Sequence, residues 1–382
     1  MKLKQICEYI SERVNIDTLS KDNYISTENM QPNKGGVTAS SGLPIAGSAI
    51  KYNVNDILIS NIRPYFKKIW QAKNAGGCSA DVLCIRSKGN TDSTFLYYLL
   101  SQDAFFEYVM TGAKGCKMPR GDKEHIMEWD IDITDDRLEQ EAIGRFLRRL
   151  DDKIDLNSQI NDNLEQQAQA LYKSWFVDFE PFKDGEFVES DAGMIPKGWR
   201  VCNLLDVAEL YDSKRKPLSS IQRSAMKKIY PYYGATSIMD YVDNYIFDGI
   251  YLLMGEDGSV VTDEGYPFLQ YVSGKFWPNN HAHVMQGKNG YTTEMLHCFL
   301  LKKNISEIVT GAVQAKISQG NMKKISLIIA PDAIMNEFTK ILDGIYAKIR
   351  CVSSENLKLE IMRDSLLPKL MSGELKINVI DC

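Results

Sequence analysis

The chain contains 382 residues, of which 44% are hydrophobic and 25% are charged, and its formal net charge at pH 7 is −5. A chain of this length and composition can form two globular domains with substantial cores and helical connections. The sequence has no basic-then-apolar leader and no run of 18 apolar residues. It therefore predicts a cytoplasmic protein without a membrane-spanning helix.

The cysteines are spread along the chain without a C-x-x-C pair. This spacing predicts reduced thiols that are mostly buried, rather than a disulfide framework or a zinc site. They are Cys7, Cys78, Cys84, Cys116, Cys202, Cys298, Cys351 and Cys382.

The negative charge is concentrated in one part of the sequence. Residues 135–198 carry a net charge of −7, whereas residues 1–134 and 199–331 carry +1 and +2. Two nearly neutral domains could each contain the local basic surface that a nucleic-acid partner needs, or could have ordinary mixed surfaces. Charge alone leaves both interpretations open.

Residues 1–134 are predicted to form a first domain around a buried strand at 57–59. A turn at 61–64 follows, and then a strand at 66–70 in which basic and aromatic residues are interleaved. This pattern suits phosphate neutralisation with contacts to bases, but it also suits an aromatic core strand with solvated lysines. The candidate nucleic-acid contacts are Arg63, Lys67 and Lys68.

A helix predicted at 93–110 leads into the glycine-rich loop TGAKGCKMPRGD at 111–122. Glycines give this backbone freedom, and the basic residues around them favour an anion. The loop lacks the G-K-[ST] ending of a nucleotide-binding P-loop. The candidate contacts in it are Lys114, Lys117 and Arg120.

A long helix is predicted from Asp135 to about Phe179, within residues 135–180. Apolar or small residues alternate at steps of three and four, with asparagines at two positions, as in a heptad seam. Because Pro181 supplies a stop, one helix of roughly 65 Å is the simplest interpretation, and a core helix of one larger domain is the alternative. The seam is Ile143, Leu147, Leu150, Ile154, Asn157, Asn161, Leu164, Ala168, Leu171 and Trp175.

Residues 181–198, rich in proline, glycine and acidic residues, are predicted to be a linker to a second domain at 199–331. This domain is predicted to contain a buried strand at 250–254, a strand at 275–286, a helix at 294–304 and the loop TGAVQAKISQGN at 310–321. The candidate contacts are Ser237, Asp257, Ser259, Lys316, Gln319 and Asn321.

The histidines of the second domain are the only sequence cluster that could suit a metal ion. His281 and His283 are two residues apart, with His297 and Cys298 further on. No carboxylate or thiol stands at ligand spacing beside the first pair, so we predict no metal site.

Residues 332–375 are predicted to form a second long helix, followed by a tail at 376–382. The two helices superpose at a shift of 195 residues, which aligns Asn161 with Asn356 and Leu164 with Leu359. The chain is therefore interpreted as a duplication. The second apolar stripe is Phe338, Ile341, Ile345, Ile349, Val352, Asn356, Leu359, Met362 and Leu366.

The glycine-rich loops of the two domains align at a shift of 199 residues. This alignment pairs Lys117 with Lys316, which predicts a shared phosphate contact. It also pairs Arg120 with Gln319, which predicts base readers of different preference, guanine and adenine.

Motifs of catalysis are missing from the sequence. No two prolines are adjacent, so the [DN]-P-P-[YF] motif of amino-methyltransferases is absent, and no P-loop, H-E-x-x-H or G-x-S-x-G occurs. The sequence therefore predicts a chain that is not itself an enzyme. A coiled-coil scaffold or interaction protein with two recognition domains that do not bind DNA is the alternative.

Several stretches resemble the specificity subunit of type I restriction-modification enzymes. They include the duplicated domain–helix halves, the sequence LNSQINDNLEQQAQALYKSWFVDFEPF at 156–182, the linker GMIPKGW at 193–199 and the closing RDSLLPKLMSGE at 363–374. STENM at 26–30, NIRP at 61–64 and FWPNNHAH at 276–283 resemble target-recognition domains of that family. The resemblance covers essentially the whole chain.

The resemblance implies that each domain reads one half of a split, asymmetric site in double-stranded DNA. It implies two modification subunits as partners, which carry the adenine N6-methyltransferase site and S-adenosylmethionine. It also implies restriction subunits that use ATP with Mg2+ to translocate and cleave DNA, and no cofactor on this chain. Recognition domains vary within the family, so the resemblance itself assigns no base contact to any residue.

The predicted fold class is α+β, with two tandem mixed α/β target-recognition domains separated by two long antiparallel helices in a pseudo-two-fold repeat. We expect Asn161 and Asn356 to fix the register of the helix pair, or else to face solvent. The length of the pair should set the unread gap between the half-sites. The predicted helix-pair core is Leu150, Ile154, Asn161, Leu164, Ile349, Asn356 and Leu359.

Overall fold

The structure of the protein is a computed structural model that describes residues 1–311 and 314–377. It divides into two compact units, residues 1–156 with the chain from 355 onward, and residues 157–354. Each unit contains one mixed α/β domain and part of each of two long helices. The predicted α+β duplication is therefore the architecture of the chain.

The first domain is built from short strands and helices that precede the first long helix. The strands are β1 (Cys7–Tyr9), β2 (Arg13–Asn15), β3 (Tyr24–Ile25), β4 (Ser48–Tyr52), β5 (Ile57–Ser60), β6 (Ile69–Gln71), β7 (Gly76–Cys78) and β8 (Val82–Ser87). The helices are α1 (Ser93–Leu100), α2 (Asp103–Thr111), α3 (Lys123–Met127) and the long α4 (Arg137–Phe176).

These strands form two four-stranded sheets, in the orders β1-β8-β5-β6 and β2-β4-β7-β3. All four residues of the central strand β5 are buried. Residues 57–59 are a continuous apolar run because both faces of the strand are covered: Ile57 and Ile59 pack with Phe95 of α1 and Phe105 of α2, and Leu58 packs in a second cluster. The first sheet and its helices therefore form the rigid base for the loops that follow β5.

The second domain and its surroundings begin after α4. The strands are β9 (Phe187–Ser190), β10 (Gly193–Pro196), β11 (Arg200–Asn203), β12 (Ala208–Leu210), β13 (Tyr230–Tyr233), β14 (Ile238–Val242), β15 (Phe247–Gly255), β16 (Leu269–Pro278), β17 (Ala282–Gly287) and β18 (Ser326–Ile329). The helices are α5 (Leu204–Val207), α6 (Ser220–Ser224), α7 (Thr293–Leu301), α8 (Gln319–Met322) and the long α9 (Asp332–Met371).

The main sheet of the second domain has the order β12-β17-β15-β16-β13-β14, with separate pairs β9-β10 and β11-β18. Its centre repeats the first domain. Leu253 of β15 lies opposite Val284 of β17, as Leu58 of β5 lies opposite Cys84 of β8. The next helix is capped in the same way, because Asp92 accepts from an N–H of α1 and Thr292 from an N–H of α7. The duplication thus extends to strand register and helix capping.

Within each unit, α4 and α9 run antiparallel. Successive residues of α4 contact residues of α9 with decreasing numbers. The contacts are polar where the helices leave the domains and aromatic beside the second domain. They are Asp151–Arg363 (2.8 Å) and Lys153–Glu355 (3.5 Å) in the first unit, and Asn161–Ser353 (2.9 Å) and Trp175–Phe338 (ring centroids 5.3 Å apart) in the second.

The predicted seam on α4 is confirmed, since each of its positions is buried or half-buried. The stripe predicted on α9 is wrong at two positions, because Ile341 and Met362 are 43% and 46% exposed. Leu342 and Tyr346 are buried instead, in the core of the second domain. Packing on that domain, rather than helix–helix contact alone, decides which face of α9 points inward.

The residues predicted for the helix-pair core are all buried or half-buried. Ile349 is buried, and the others are half-buried. The half-buried residues are Leu150, Ile154, Asn161, Leu164, Asn356 and Leu359.

Three predicted elements are interrupted in the structure. The strand predicted at 66–70 starts only at Ile69, because a 3-10 turn at Pro64–Phe66 is followed by Lys67 with φ +51°. The helix predicted at 93–110 is two helices, since Gln102 is extended between α1 and α2. The strand predicted at 275–286 is the end of β16 and the start of β17. These breaks place turns at the ends of buried strands.

Among the described residues, no helix combines the length and the apolar composition needed to cross a membrane.

Candidate nucleic-acid interface

In the first domain, the turn after β5 is joined to the glycine-rich loop. Ile62 pairs with Arg120 through the backbone, and the Arg63 N–H donates to the Pro119 carbonyl at 2.8 Å. Lys114 and Arg120 exchange two backbone hydrogen bonds of 2.9 Å, which closes the loop between them. The two predicted basic segments therefore lie side by side at one edge of the domain.

The loop ends at the start of α3. The Asp122 carboxylate accepts from the backbone N–H groups of Glu124 and His125, and it pairs with Lys114. The Lys114 hydrogen bond first, and then the His125 N–H, hold the pKa of Asp122 at about 2. Asp122 is thus an ionised cap that fixes both the helix and the loop.

The second domain contains the same loop with other side chains. Thr310 and Lys316 exchange backbone hydrogen bonds of 2.9 and 2.7 Å, and the backbone of Lys316 forms an antiparallel bridge with that of Asp257. Ser318 then caps α8. In the backbone of the two loops, Thr310 is therefore equivalent to Lys114, and Lys316 is equivalent to Arg120.

The predicted pairing of Lys117 with Lys316 and of Arg120 with Gln319 is therefore wrong. The backbone bridges superpose the loops at a shift of 196 residues, whereas the short identical letters align them at 199. The backbone hydrogen bonds show which positions of the two loops are equivalent. A few identical residues in a glycine-rich loop are not enough to do so. The position equivalent to Lys117 is 313, which lies outside the described residues.

Arg63 has the least ordinary surroundings of the predicted contacts. Its backbone is left-handed, with φ +50°, at the start of the 3-10 turn. The side chain is half-buried, and its Nε is buried with no hydrogen-bond partner in the described part of the protein. A ligand that accepts a hydrogen bond there would satisfy the guanidinium.

Other cations of this edge are held by the domain itself. Lys67 pairs with Asp103 at 2.9 Å, Arg120 pairs with Asp81 at 3.2 Å, and the Lys68 ammonium donates to the Thr27 carbonyl at 2.6 Å. Burial lowers the pKa of Lys68, with Glu28 opposing the shift. Lys68 therefore has a structural role, whereas Lys117 is exposed and forms no ion pair within residues 1–311 and 314–377.

In the second domain, several predicted contacts also have intramolecular partners. Lys316 lies 3.4 Å from Glu256, Gln319 donates to Asp212 at 2.6 Å, and Asn321 donates to the Ile308 carbonyl at 3.0 Å. Asp257 pairs with His281. Ser237 and Ser259 are exposed.

A buried ion cluster underlies these loops. Potential ligand atoms of Asp212, Glu256 and His283 lie within 4.8 Å of one another. Folding thus brings carboxylates from just after β12 and β15 to His283, a convergence that the sequence spacing does not predict. Arg215 donates to Glu256 at 2.6 Å.

The protein's own hydrogen bonds satisfy the cluster. His283 Nδ1 lies 2.6 Å from Asp212, and Nε2 lies 2.8 Å from the Ile317 carbonyl. Because both partners are acceptors, both ring nitrogens donate, and neither has a lone pair left for a metal. Burial lowers the pKa of His283, but Asp212, the Ile317 carbonyl and Glu256 together outweigh burial, and the net pKa is raised. The arrangement fits an imidazolium ion cluster, not a metal centre.

Three further lysines lie beside these loops and were not predicted. Lys34 shares Asp103 with Lys67. Lys214 and Lys216 are exposed on the segment that Arg215 anchors to the ion cluster. The run Lys214-Arg215-Lys216 is a signal that a scan for basic clusters would have found, whereas Lys34 stands in an ordinary turn sequence.

Both domains and most of both long helices match a known family. The family model describes the type I restriction modification DNA specificity domain, and it matches residues 1–166 and 196–361. The MjaIX specificity subunit of Methanocaldococcus jannaschii is similar to this chain, with 28% identity over 309 residues, covering 76% of this chain and 71% of that protein.

Another relative and one solved structure extend the comparison. The HindI specificity subunit of Haemophilus influenzae is 23% identical over 364 residues, covering 74% of this chain and 77% of that protein. The crystal structure of a type I restriction-modification S subunit from M. genitalium shares the fold, with a TM-score of 0.55 at 16% identity, covering 97% of this chain and 95% of that one. Because the family model matches both halves of the duplication, the chain belongs to the family of type I restriction-modification specificity subunits.

Proposed function

We propose that this chain reads a split, asymmetric DNA site, with one recognition domain on each half, and directs adenine methylation and cleavage by partner subunits. The observation that carries the proposal is that the two domains have the same backbone arrangement at these loops but different side chains on it. After the central strand, the first domain presents Ile62 and Arg63 where the second presents Asp257 and Gly258. One scaffold that displays different hydrogen-bonding groups suits two different half-sites.

The partners of each cation suggest how contacts divide between backbone and bases. Arg120 and Lys316 occupy equivalent positions and keep a positive charge in both domains. A charge kept at one place is suited to phosphate, which is the same in every sequence. Arg63 has no counterpart, since Gly258 stands at its position, so it is suited to a base edge in the first half-site.

We assign the chemistry to partner proteins. The sequence contains no [DN]-P-P-[YF] motif, P-loop, H-E-x-x-H or G-x-S-x-G. We infer that S-adenosylmethionine is bound by modification subunits and ATP with Mg2+ by restriction subunits, in the cytoplasm. The helices offer apolar side chains for such docking, since Leu357 and Ile361 are 52% and 61% exposed one turn apart on α9, and Ile341 is 43% exposed. Each unit contributes some of them, which supports two modification subunits.

The test is a map of N6-methyladenine in DNA from a methylation-free host that expresses this chain with its modification subunit. We expect one split, asymmetric motif that appears only when both proteins are present. Unmodified DNA, with both proteins folded and co-purifying, would contradict the proposal. A motif with two identical half-sites would contradict its asymmetric part.

A further inference from the structure

Two lysines and one carboxylate converge at the surface of the first recognition domain. Lys67 Nζ lies 2.9 Å, and Lys34 Nζ 3.4 Å, from the same oxygen, Oδ1 of Asp103. The lysine side chains are 31% and 19% exposed, whereas the Asp103 side chain is 59% exposed. Asp103 thus has the most exposed side chain of the three, and both lysine side chains are partly buried.

The backbone that carries these lysines is held in an unfavourable conformation. Lys34 and Lys67 have φ of +64° and +51°, and Asn33, just before Lys34, and Arg63, four residues before Lys67, are also left-handed. The Asn33 and Lys34 N–H groups donate to the Phe66 and Lys67 carbonyls at 2.8 and 2.9 Å, which locks the two segments together. Such strained positions cluster where a site needs a fixed geometry.

This pair of lysines borders the candidate interface. The 3-10 turn that ends before Lys67 begins after Arg63, whose N–H is bonded to Pro119 beside Arg120. The lysines therefore extend the basic edge formed by the turn after β5 and the glycine-rich loop.

We propose that Lys34 and Lys67 form a binding site for one phosphate of the DNA backbone, and that the Asp103 carboxylate competes with the phosphate for this site. The inference rests on the proposed function. One carboxylate oxygen between two ammonium groups stands in for a phosphate oxygen, which would accept the same two charge-assisted hydrogen bonds. Binding exchanges one ion pair for another, so Asp103 keeps the sequence-independent affinity of this domain below what two free lysines would give.

The test measures binding of the assembly of this chain with its modification subunits to two duplexes of equal length, one with the methylated motif and one of unrelated sequence. Asp103→Asn should tighten binding to both by about two- to fivefold near physiological salt, the range of an exposed ion pair. The combined Lys34→Gln and Lys67→Gln variant should weaken both and reduce the slope of log K against log salt by about 1. In that variant, Asp103→Asn should change nothing.

A matched control separates local contact from net charge. Like Asp103→Asn, Glu12→Gln removes one negative charge from the domain, and it frees Lys51, the partner of Glu12 at 2.6 Å on β4. An equal gain from Glu12→Gln, no gain from Asp103→Asn, or a full gain without the two lysines would each overturn the inference. Melting temperatures of all variants check that the domain remains folded.

Failure of this inference differs from failure of the proposed function. If the unchanged assembly binds neither duplex in a salt-dependent way, the proposed function fails. If it binds and methylates its motif while Asp103→Asn is without effect, only the inference of a phosphate-binding site at Lys34 and Lys67 fails.

Discussion

His283 and Asp212 form a buried ion pair beneath the candidate reading loops of the second domain, with 2.6 Å between Nδ1 and Oδ2. Their side chains are 1% and 6% exposed. Gln319, at the start of α8, donates to the same carboxylate oxygen, and Lys316 pairs with the neighbouring Glu256. The pair therefore connects the core of the domain to two of its predicted DNA contacts.

The stability of the second unit should depend on pH through this pair. The folded pKa of His283 is raised above its usual value near 6.5, because Asp212, with the Ile317 carbonyl and Glu256, outweighs the effect of burial. Its contribution is fully present below the unfolded pKa and is lost as pH rises through the folded pKa. We expect the unfolding midpoint of the second unit to fall as pH is raised from about 6 through that folded pKa.

Two histidine variants separate this effect from simple burial. His283→Gln should lower stability and flatten the pH profile. Burial lowers the pKa of His297 to about 4, so His297 is neutral throughout this range and His297→Gln should shift the profile without changing its slope. A profile that stays equally steep in His283→Gln would exclude the pair as its source.

The asparagines of the long helices should set register at the expense of stability. The Asn161 amide donates to Ser353 Oγ at 2.9 Å, and the Asn356 amide donates to the Ile154 carbonyl at 3.2 Å, each from one helix to the other. Replacing both with leucine should raise the unfolding midpoint, because half-buried polar groups give way to apolar ones. It should also permit methylated motifs with more than one gap length.

An exposed asparagine on the same helix provides the control. Asn163 is exposed on α4, and Asn163→Leu should change neither the midpoint nor the gap. A double Asn161→Leu and Asn356→Leu variant that melts no higher and keeps one gap length would show that these residues do not set the register.

Much of the fold follows from sequence periodicity. The α4 seam and the buried strand around Leu58 are encoded by local patterns, since steps of three and four predict a helix and a short apolar run predicts a covered strand. The stripe on α9 was only partly predictable. Leu342 and Tyr346 face the second domain, and nothing in a heptad pattern shows which neighbour a helix has.

The site was less predictable, because its geometry depends on long-range contacts. The partners of Lys67 and Arg120 are Asp103 and Asp81, which are distant in sequence. The equivalence of Arg120 with Lys316 required backbone hydrogen bonds, since identical letters suggested another alignment. Local sequence therefore identified basic loops, and the fold was needed to show which cations are already paired.

Arg63 should determine one base of the first half-site. Its Nε is buried without a partner among the described residues, and its position is fixed by the turn after β5. Arg63→Ala should remove about 1–3 kcal/mol of discrimination at that base, the usual range for a bidentate contact with guanine. Methylation mapping would show the motif relaxed at one position in the first half-site and unchanged in the second.

Arg63→Lys distinguishes a base contact from a charge. A lysine keeps the charge but loses the planar fork of donors, so the motif should relax almost as much as with alanine. A motif that stays intact while binding weakens on every sequence would reassign Arg63 to the backbone.

Lys117 should contribute to affinity without contributing to specificity. It is exposed on the glycine-rich loop and, unlike Lys114 and Arg120, forms no ion pair in the described part of the chain. A free ammonium on a long side chain suits phosphate, which is present in every sequence. Lys117→Ala should weaken specific and unrelated duplexes alike and reduce the salt slope by about 1, while the methylated motif stays the same. Lys51→Ala removes the same charge from β4, where the half-buried Lys51 pairs with Glu12, and should have a smaller effect. A changed motif in Lys117→Ala would instead make Lys117 a base reader, and equal effects from both variants would mean that the domain acts only through its net charge.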